Sequence, residues 1–340
     1  MTVLSKIKVL AALQNKASHA KNNNDAHYQT IRRLWQAITS NNQLYQEICR
    51  VAHAEMIAMP ESLELIPIPS TSFFPYTVAA VDGSQIFPDP HTGIHSYLLN
   101  IGTCMLSYRE KHSTAEFSSE PSCHEPDGYL VEEDIALQRT LLELRTATDL
   151  LQQHSPTLLL VDGPLMPFQK NVEPSIHKKL FHQWRENSFN LAGYISLPQG
   201  RMVSNMMNIA ARILGKSYNS HFSDSTILSL ILPPYHRTPL WQSSQRTSRV
   251  SSFFYHTGSE IARIEIPTYL TQQSSIEQIM RVIHHQILLG YGYPIALAEA
   301  HVQATVSMHD QQWFCTVLAQ YDTHSSVRSY KQLRKQRIPL

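Results

Sequence analysis

Two apolar runs in this chain end abruptly in Asp-Gly: VAAVDGSQ, which delivers Asp82, and LLLVDGPL, which delivers Asp162 eighty residues later. A short run of this kind reads as a strand buried on both faces, and a carboxylate at its carboxyl end sits where sites in strand-and-helix sheets form. Gly83 permits the sharp exit that leaves the Asp82 carboxylate accessible. Side by side, two such strands place two carboxylates at one edge, a geometry suited to divalent cations. The expected fold class is therefore α/β.

Composition narrows the setting. At 340 residues and 42% hydrophobic content the chain can fill one large core, or a core with an appendage. No apolar run approaches the ~18 residues of a membrane span, and no apolar block of a signal peptide opens the chain. The expectation is a soluble cytoplasmic protein with no membrane partner. A formal net charge of +1 excludes a global basic field but leaves room for local cationic patches. Cys49, Cys104, Cys123 and Cys315 form no CxxC pair, which argues against a zinc cluster or a redox motif.

Along the chain, residues 1–75 read as an N-terminal helical extension and linker, and 76–340 as the main domain. Ile7, Leu10 and Leu13, then Ile31, Leu34, Trp35 and Ile38, give helical spacing. Prolines at 60, 67, 69 and 75 mark the linker. His95–Tyr108 is rich in strand formers, Thr114–Gly128 reads as a surface loop, and Leu130–Gln153 is an amphipathic helix stopped by Pro156. Asn190–Ser196 is a further short strand and Met202–Leu214 a helix. Val250–Tyr255 and Ile261–Pro267 read as strands. SSIE at Ser274–Glu277 is a capping-box pattern ahead of a helix ended by Gly290 and Gly292. Ile295–Val306 is a helix carrying His301, and Trp313–Leu318 reads as a last strand before a basic tail.

Two further residues complete a candidate constellation. Glu143 lies nineteen residues before Asp162, between leucines where an unpaired charge is costly. The alternative for it is a structural pair with Arg139, one helical turn away. His301 sits among small residues at AEAHVQA, where its ring can reach a crowded pocket as a ligand or as a proton donor to a leaving group. Three carboxylates and one imidazole suit Mg²⁺ or Mn²⁺. A pair of such ions about 4 Å apart hydrolyses phosphodiesters.

The ordered set VDGSQ, RTLLE, LLLVDGPL, AGYIS, FFYHTGSEIARIEIP and GYPIALAEAH resembles the NurA family of nucleases over roughly Tyr76 to Arg337. The resemblance implies an RNase H-like core with a mixed central sheet flanked by helices. It also implies a Mn²⁺-dependent deoxyribonuclease with 5′-3′ exonuclease and single-strand endonuclease activity. Two ions are implied, with Mg²⁺ as an alternative metal, held by Asp82, Glu143, Asp162 and His301. Further implications are DNA as substrate, a homodimer, and docking on a HerA-type hexameric ATPase in DNA repair or defence.

A tyrosine near the site is part of the same resemblance, with Tyr255 and Tyr194 both open. Substrate contact is expected of Tyr255, Arg263 and Arg201, although the family often has a lysine just after the strand at AGYIS, where this chain has Leu197, Pro198 and Gln199, with Arg201 the nearest cation. Arg263 alternates with Glu265 on one strand, so a structural pair is the other reading. Arg237, Arg246, Arg249 and the tail cations Arg328, Lys331, Arg334, Lys335 and Arg337 offer phosphate contacts. The competing expectation for the whole chain is a catalytically weak scaffold that keeps the fold and docks the ATPase.

Overall fold

The computed structural model describes residues 25–69, 74–88, 96–125, 131–166, 174–219, 221–242 and 249–321. In chain order these form helices α1 (residues 25–40) and α2 (Asn42–Ala54), short strands β1 (Met59–Pro60) and β2 (Ile66–Pro67), and long strands β3 (Tyr76–Ile86), β4 (Tyr97–Tyr108) and β5 (Thr114–His124). Helix α3 (Glu132–His154), strand β6 (Leu158–Asp162), helix α4 (Pro174–Glu186) and strand β7 (Leu191–Ser196) follow. Next come α5 (Met202–Ile213), α6 (Asp224–Ile231), β8 (His236–Arg237), β9 (Trp241–Gln242), β10 (Val250–His256) and β11 (Ile261–Pro267). The last elements are α7 (Gln273–Leu289), α8 (Ile295–Ala304) and α9 (Met308–Tyr321).

The chain divides into two compact units, Met1–Pro67 with Ser196–Arg263, and Ile68–Ile195 with Ile264–Leu340. The first passage between them falls inside the proline-rich stretch. In the first unit, Ile31, Leu34 and Ile38 of α1 are buried with Leu44 and Ile48 of α2, Met206 and Met207 of α5, and Ile227 and Leu228 of α6. The N-terminal helices are thus packed elements of a core. The proline-rich stretch also contributes β1 and β2, which pair antiparallel with β9 and β8.

In the second unit β3 is central. It pairs antiparallel with β4, which pairs antiparallel with β5, while β6 lies parallel on the other side of β3 and β7 parallel beyond β6. Val78, Ala79, Ala80 and Val81 are fully buried, as are Leu158, Leu159 and Leu160. This is why both segments read as unbroken apolar runs: each strand is covered on both faces.

The covering helices can be assigned from side-chain alternation along β3. Asp82 and Ser84 face α8, where His301 Nδ1 meets Asp82 and the Ser84 hydroxyl donates to Ala304 O. Gly83 and Gln85 face α3, where Arg139 Nη1 donates to Gln85 Oε1 at 3.1 Å and a Cβ on Gly83 would lie 2.5 Å from Glu143 Oε1. Successive strand residues point to opposite faces, so α3 and α8 cover opposite sides of β3.

Four sequence expectations are corrected. The strand carrying Asp82 does not end in a turn at Gly83 but runs on to Ile86, so Asp82 stands inside β3. Thr114–His124, read as part of a loop, is strand β5; its side chains are mostly exposed, so no apolar alternation announces it. Its register against β4 runs from Tyr97 opposite His124 to Ser107 opposite Thr114. Trp313–Leu318, read as a strand, lies inside helix α9, where Phe314 is buried and Trp313 is exposed. Its β-forming residues carry propensity only, and tertiary context overrides propensity. SSIE is not the helix start: α7 begins at Gln273, with Gln272 at the N-cap and no capping side chain. Asp224–Ile231 is helical, with the Ser223 side chain accepting from Thr226 N. The early apolar pattern at Ile7, Leu10 and Leu13, Arg246, and the tail cations from Arg328 to Arg337 lie outside the described residues.

Candidate metal centre

Asp82 stands midway along β3, opposite Gly102 of β4, while Asp162 ends β6, opposite Tyr194 of β7. The register between β3 and β6 stops at Val81 and Val161, so the two carboxylates emerge where the parallel ladder ends. Helix α8 brings His301 to the same place. Ligand atoms of Asp82, Asp162 and His301 all lie within 4.8 Å of one another. This is the one grouping of metal-ligating side chains of its kind among the described residues.

Each side chain is held by a stated contact. Asp82 Oδ1 accepts from Gly83 N at 2.7 Å, and Oδ2 pairs with His301 Nδ1 at 2.7 Å. An imidazole that gives its Nδ1 proton to a carboxylate keeps the Nε2 lone pair for ligation. Helix α8 comes close enough because Gly102 has no side chain: a Cβ there would run into the backbone of Ala300 and Ala304. Asn100 Nδ2 anchors the end of the helix, donating to Gln303 O at 3.1 Å and Ala304 O at 2.8 Å. His301 itself is 66% exposed, whereas the Asp82 side chain is 10% exposed.

Burial dominates the electrostatics. It pushes Asp162 up to about 6, with the neighbouring Asp82 charge adding to it and His301, a hydrogen bond from Tyr293 and Arg139 opposing it. Glu143 is pushed up to about 8, again first by burial, then opposed by Arg139 and reinforced by Asp82 and Asp162. Acids that resist ionisation when alone are the groups a divalent cation would relieve.

Glu143 does not join the three-residue grouping. It approaches from the α3 face, against the bare backbone of Gly83, and its side chain is 1% exposed. The pair with Arg139 is present, with Nε 3.1 Å from Oε1. The contact is poorly aligned, because neither atom makes a hydrogen bond although both are buried. An orphaned carboxylate oxygen beside two aspartates, and an oxygen-rich donor set with one imidazole, fit a hard divalent ion.

The other expected residues fall in the first unit. Tyr255 is fully buried in β10, opposite Arg237 of β8. Arg263 lies near Asp224 and opposes the rise in its pKa. Arg201 is exposed at the N-cap of α5. Sequence reasoning missed Tyr293, which hydrogen-bonds the Asp162 carboxylate and meets Tyr194 edge-on at 5.2 Å. The available signal is GYGYP just ahead of α8, whose glycines end the preceding helix and whose Tyr293 lies in the GYPIALAEAH motif without a role assigned to it. Of the two tyrosines weighed, Tyr194 borders the site through its pairing with Asp162 and its contact with Tyr293.

Comparison with known proteins places these features. No curated protein matches the chain by sequence. Among solved structures, the NurA nuclease from Sulfolobus solfataricus has a TM-score of 0.53 at 16% identity, over 87% of this chain and 98% of that one. A structure of NurA bound to dAMP and manganese gives 0.44 at 11% identity, over 88% and 98%. Human ENDOV gives 0.38 at 14% identity, over 72% and 86%. The first likeness shows the shared fold, an RNase H-like mixed sheet flanked by helices. The NurA domain model covers residues 76–306, a span holding Asp82, Glu143, Asp162, Tyr293 and His301. With more than half its length matched, the chain belongs to the NurA domain family, whose Sulfolobus solfataricus member is a nuclease.

Proposed function

We propose that this protein is a Mn²⁺-dependent deoxyribonuclease that hydrolyses DNA phosphodiester bonds, as a 5′-3′ exonuclease and single-strand endonuclease. The observation that carries this reading is the convergence of Asp82, Asp162 and His301 within 4.8 Å in a chain of the NurA family. Asp82, Asp162 and His301 would hold one divalent ion, and Glu143 with the aspartates a second. Two such ions supply activation of water and neutralisation of the leaving oxygen in phosphodiester hydrolysis.

The protein's own groups do the rest. Asp82 fixes the His301 ring through Nδ1. With Nδ1 held by Asp82 and Nε2 left for the ion, the ring has no proton to give, and the departing 3′ oxygen takes its proton from solvent, which reaches the ring because it is 66% exposed. Tyr293 and Arg139 favour the ionised form of Asp162, which is the form that ligates. Partnership with a HerA-type hexameric ATPase, a homodimeric state, and a role in DNA end processing or defence complete the proposal.

A substrate panel tests it: single-stranded DNA, duplex ends and RNA, each in Mn²⁺, Mg²⁺ and EDTA, with and without a HerA-type ATPase. The expected result is Mn²⁺-stimulated cleavage of DNA. Failure to cut any DNA under all these conditions would replace the enzyme with a docking scaffold, and a preference for RNA would change the substrate class.

A further inference from the structure

We infer that Arg139 is a gate on the second metal position: its guanidinium holds Glu143 until a DNA phosphate draws it away. The inference rests on the metal-dependent reading above and concerns the order in which ions enter.

The three-residue grouping of Asp82, Asp162 and His301 already has its donors within reach of one ion. Glu143 is different. Its Oε1 is buried against Gly83 on the α3 face, and the nearest cation is Arg139 Nε at 3.1 Å. The Arg139 side chain is 30% exposed and that of Glu143 1%, so Arg139 is the member of the pair that solvent reaches.

Two features make the contact a holding position. Arg139 Nη1 donates to Gly83 O at 3.3 Å and to Gln85 Oε1 at 3.1 Å, so the head group is parked on the strand that carries Asp82. Toward Glu143, however, Nε and Oε1 make no aligned hydrogen bond, and both remain unsatisfied. A guanidinium so placed gains by turning to a phosphate, which matches its planar donor fork. Glu143 gains by turning to a divalent ion, which supplies the coordination that Arg139 withholds. DNA binding and entry of the second ion are thereby coupled, and a water-activating pair of ions does not assemble on the empty enzyme.

Mn²⁺ alone is the probe, with stoichiometry read by calorimetry and by electron paramagnetic resonance on the full chain without DNA. Wild type and Arg139→Lys, which keeps a cation beside Glu143, are expected to bind one ion per chain. Arg139→Gln is expected to bind two, with at least about tenfold tighter affinity at the second position than wild type, and Arg139→Gln with Glu143→Gln to return to one. Arg139→Gln is also expected to raise KM for single-stranded DNA, a change that mere loosening of α3 would not produce alongside a gained ion. Two ions on wild type without DNA, or one on Arg139→Gln, would overturn the gate while leaving the metal-dependent nuclease standing. No bound Mn²⁺ on any variant would remove both.

Discussion

His301 Nδ1 lies 2.7 Å from Asp82 Oδ2, joining helix α8 to the central strand at the point where the parallel ladder with β6 ends. The ring is mostly exposed, so its contact serves the site more than the core. His301→Ala is expected to weaken Mn²⁺ binding or turnover by about 10- to 100-fold. Stability in EDTA should stay within about 0.5 kcal/mol of wild type. Mn²⁺ titration and thermal unfolding of the same preparation check both halves; a large loss of stability would make His301 structural.

Tyr293 favours the ionised form of Asp162. Tyr293→Phe keeps the ring and its edge-on contact with Tyr194 but removes the hydroxyl. Mn²⁺ affinity is expected to fall by about tenfold, and the pH midpoint of Mn²⁺ binding to move upward. Unchanged affinity and midpoint would make the tyrosine a packing residue only.

Asp162, raised to about 6, and Glu143, raised to about 8, keep protons in the folded state that the unfolded chain releases near pH ~4. The stability of those protonated forms is complete below that pH and is lost as pH rises through about 6 and then about 8. On the DNA-free chain the proposed first ion would bind ionised Asp162 and offset that part of the loss, while Glu143 stays with Arg139. The difference in Tm between Mn²⁺ and EDTA should therefore grow between about pH 5 and about pH 7, as followed by calorimetry. A difference that does not change with pH would count against Asp162 as a ligand.

Gly102 sits where α8 crosses the sheet. Gly102→Val would press into the backbone of Ala300 and Ala304, at a cost of about 1–3 kcal/mol or more. It should also carry His301 away from Asp82. Denaturant unfolding, with Mn²⁺ titration of the folded fraction, should show both losses together; a full-affinity variant would mean that α8 tolerates displacement.

How far the sequence spoke depended on where each signal is stored. Asp82 and Asp162 were legible because the runs ahead of them are buried on both faces and therefore wholly apolar, but only Asp162 ends its strand: β3 continues through Asp82 and Gly83 to Ile86, and Gly83 serves the close approach of Glu143 in place of a turn. His301 was legible through its setting of small residues, which pack α8 on β3 and β4. β5 was hidden because its exposed side chains leave no periodic trace, and its identity lies in backbone pairing with β4. Tyr293 was hidden for another reason: its partner is distant in sequence, and a turn motif says nothing of what its side chain meets. Gly102 carries no periodic signal either, and its role as the close-approach point of α8 inside β4 shows only in three dimensions.

The central claim is that Asp82 and Asp162 hold the ion that drives DNA hydrolysis. Its most direct test is Mn²⁺-dependent cleavage of end-labelled single-stranded DNA by wild type, Asp82→Ala and Asp162→Ala, each shown to be folded by circular dichroism. Wild type should cleave, and both variants should fall to the level seen in EDTA. Wild-type rates in both variants would contradict the account.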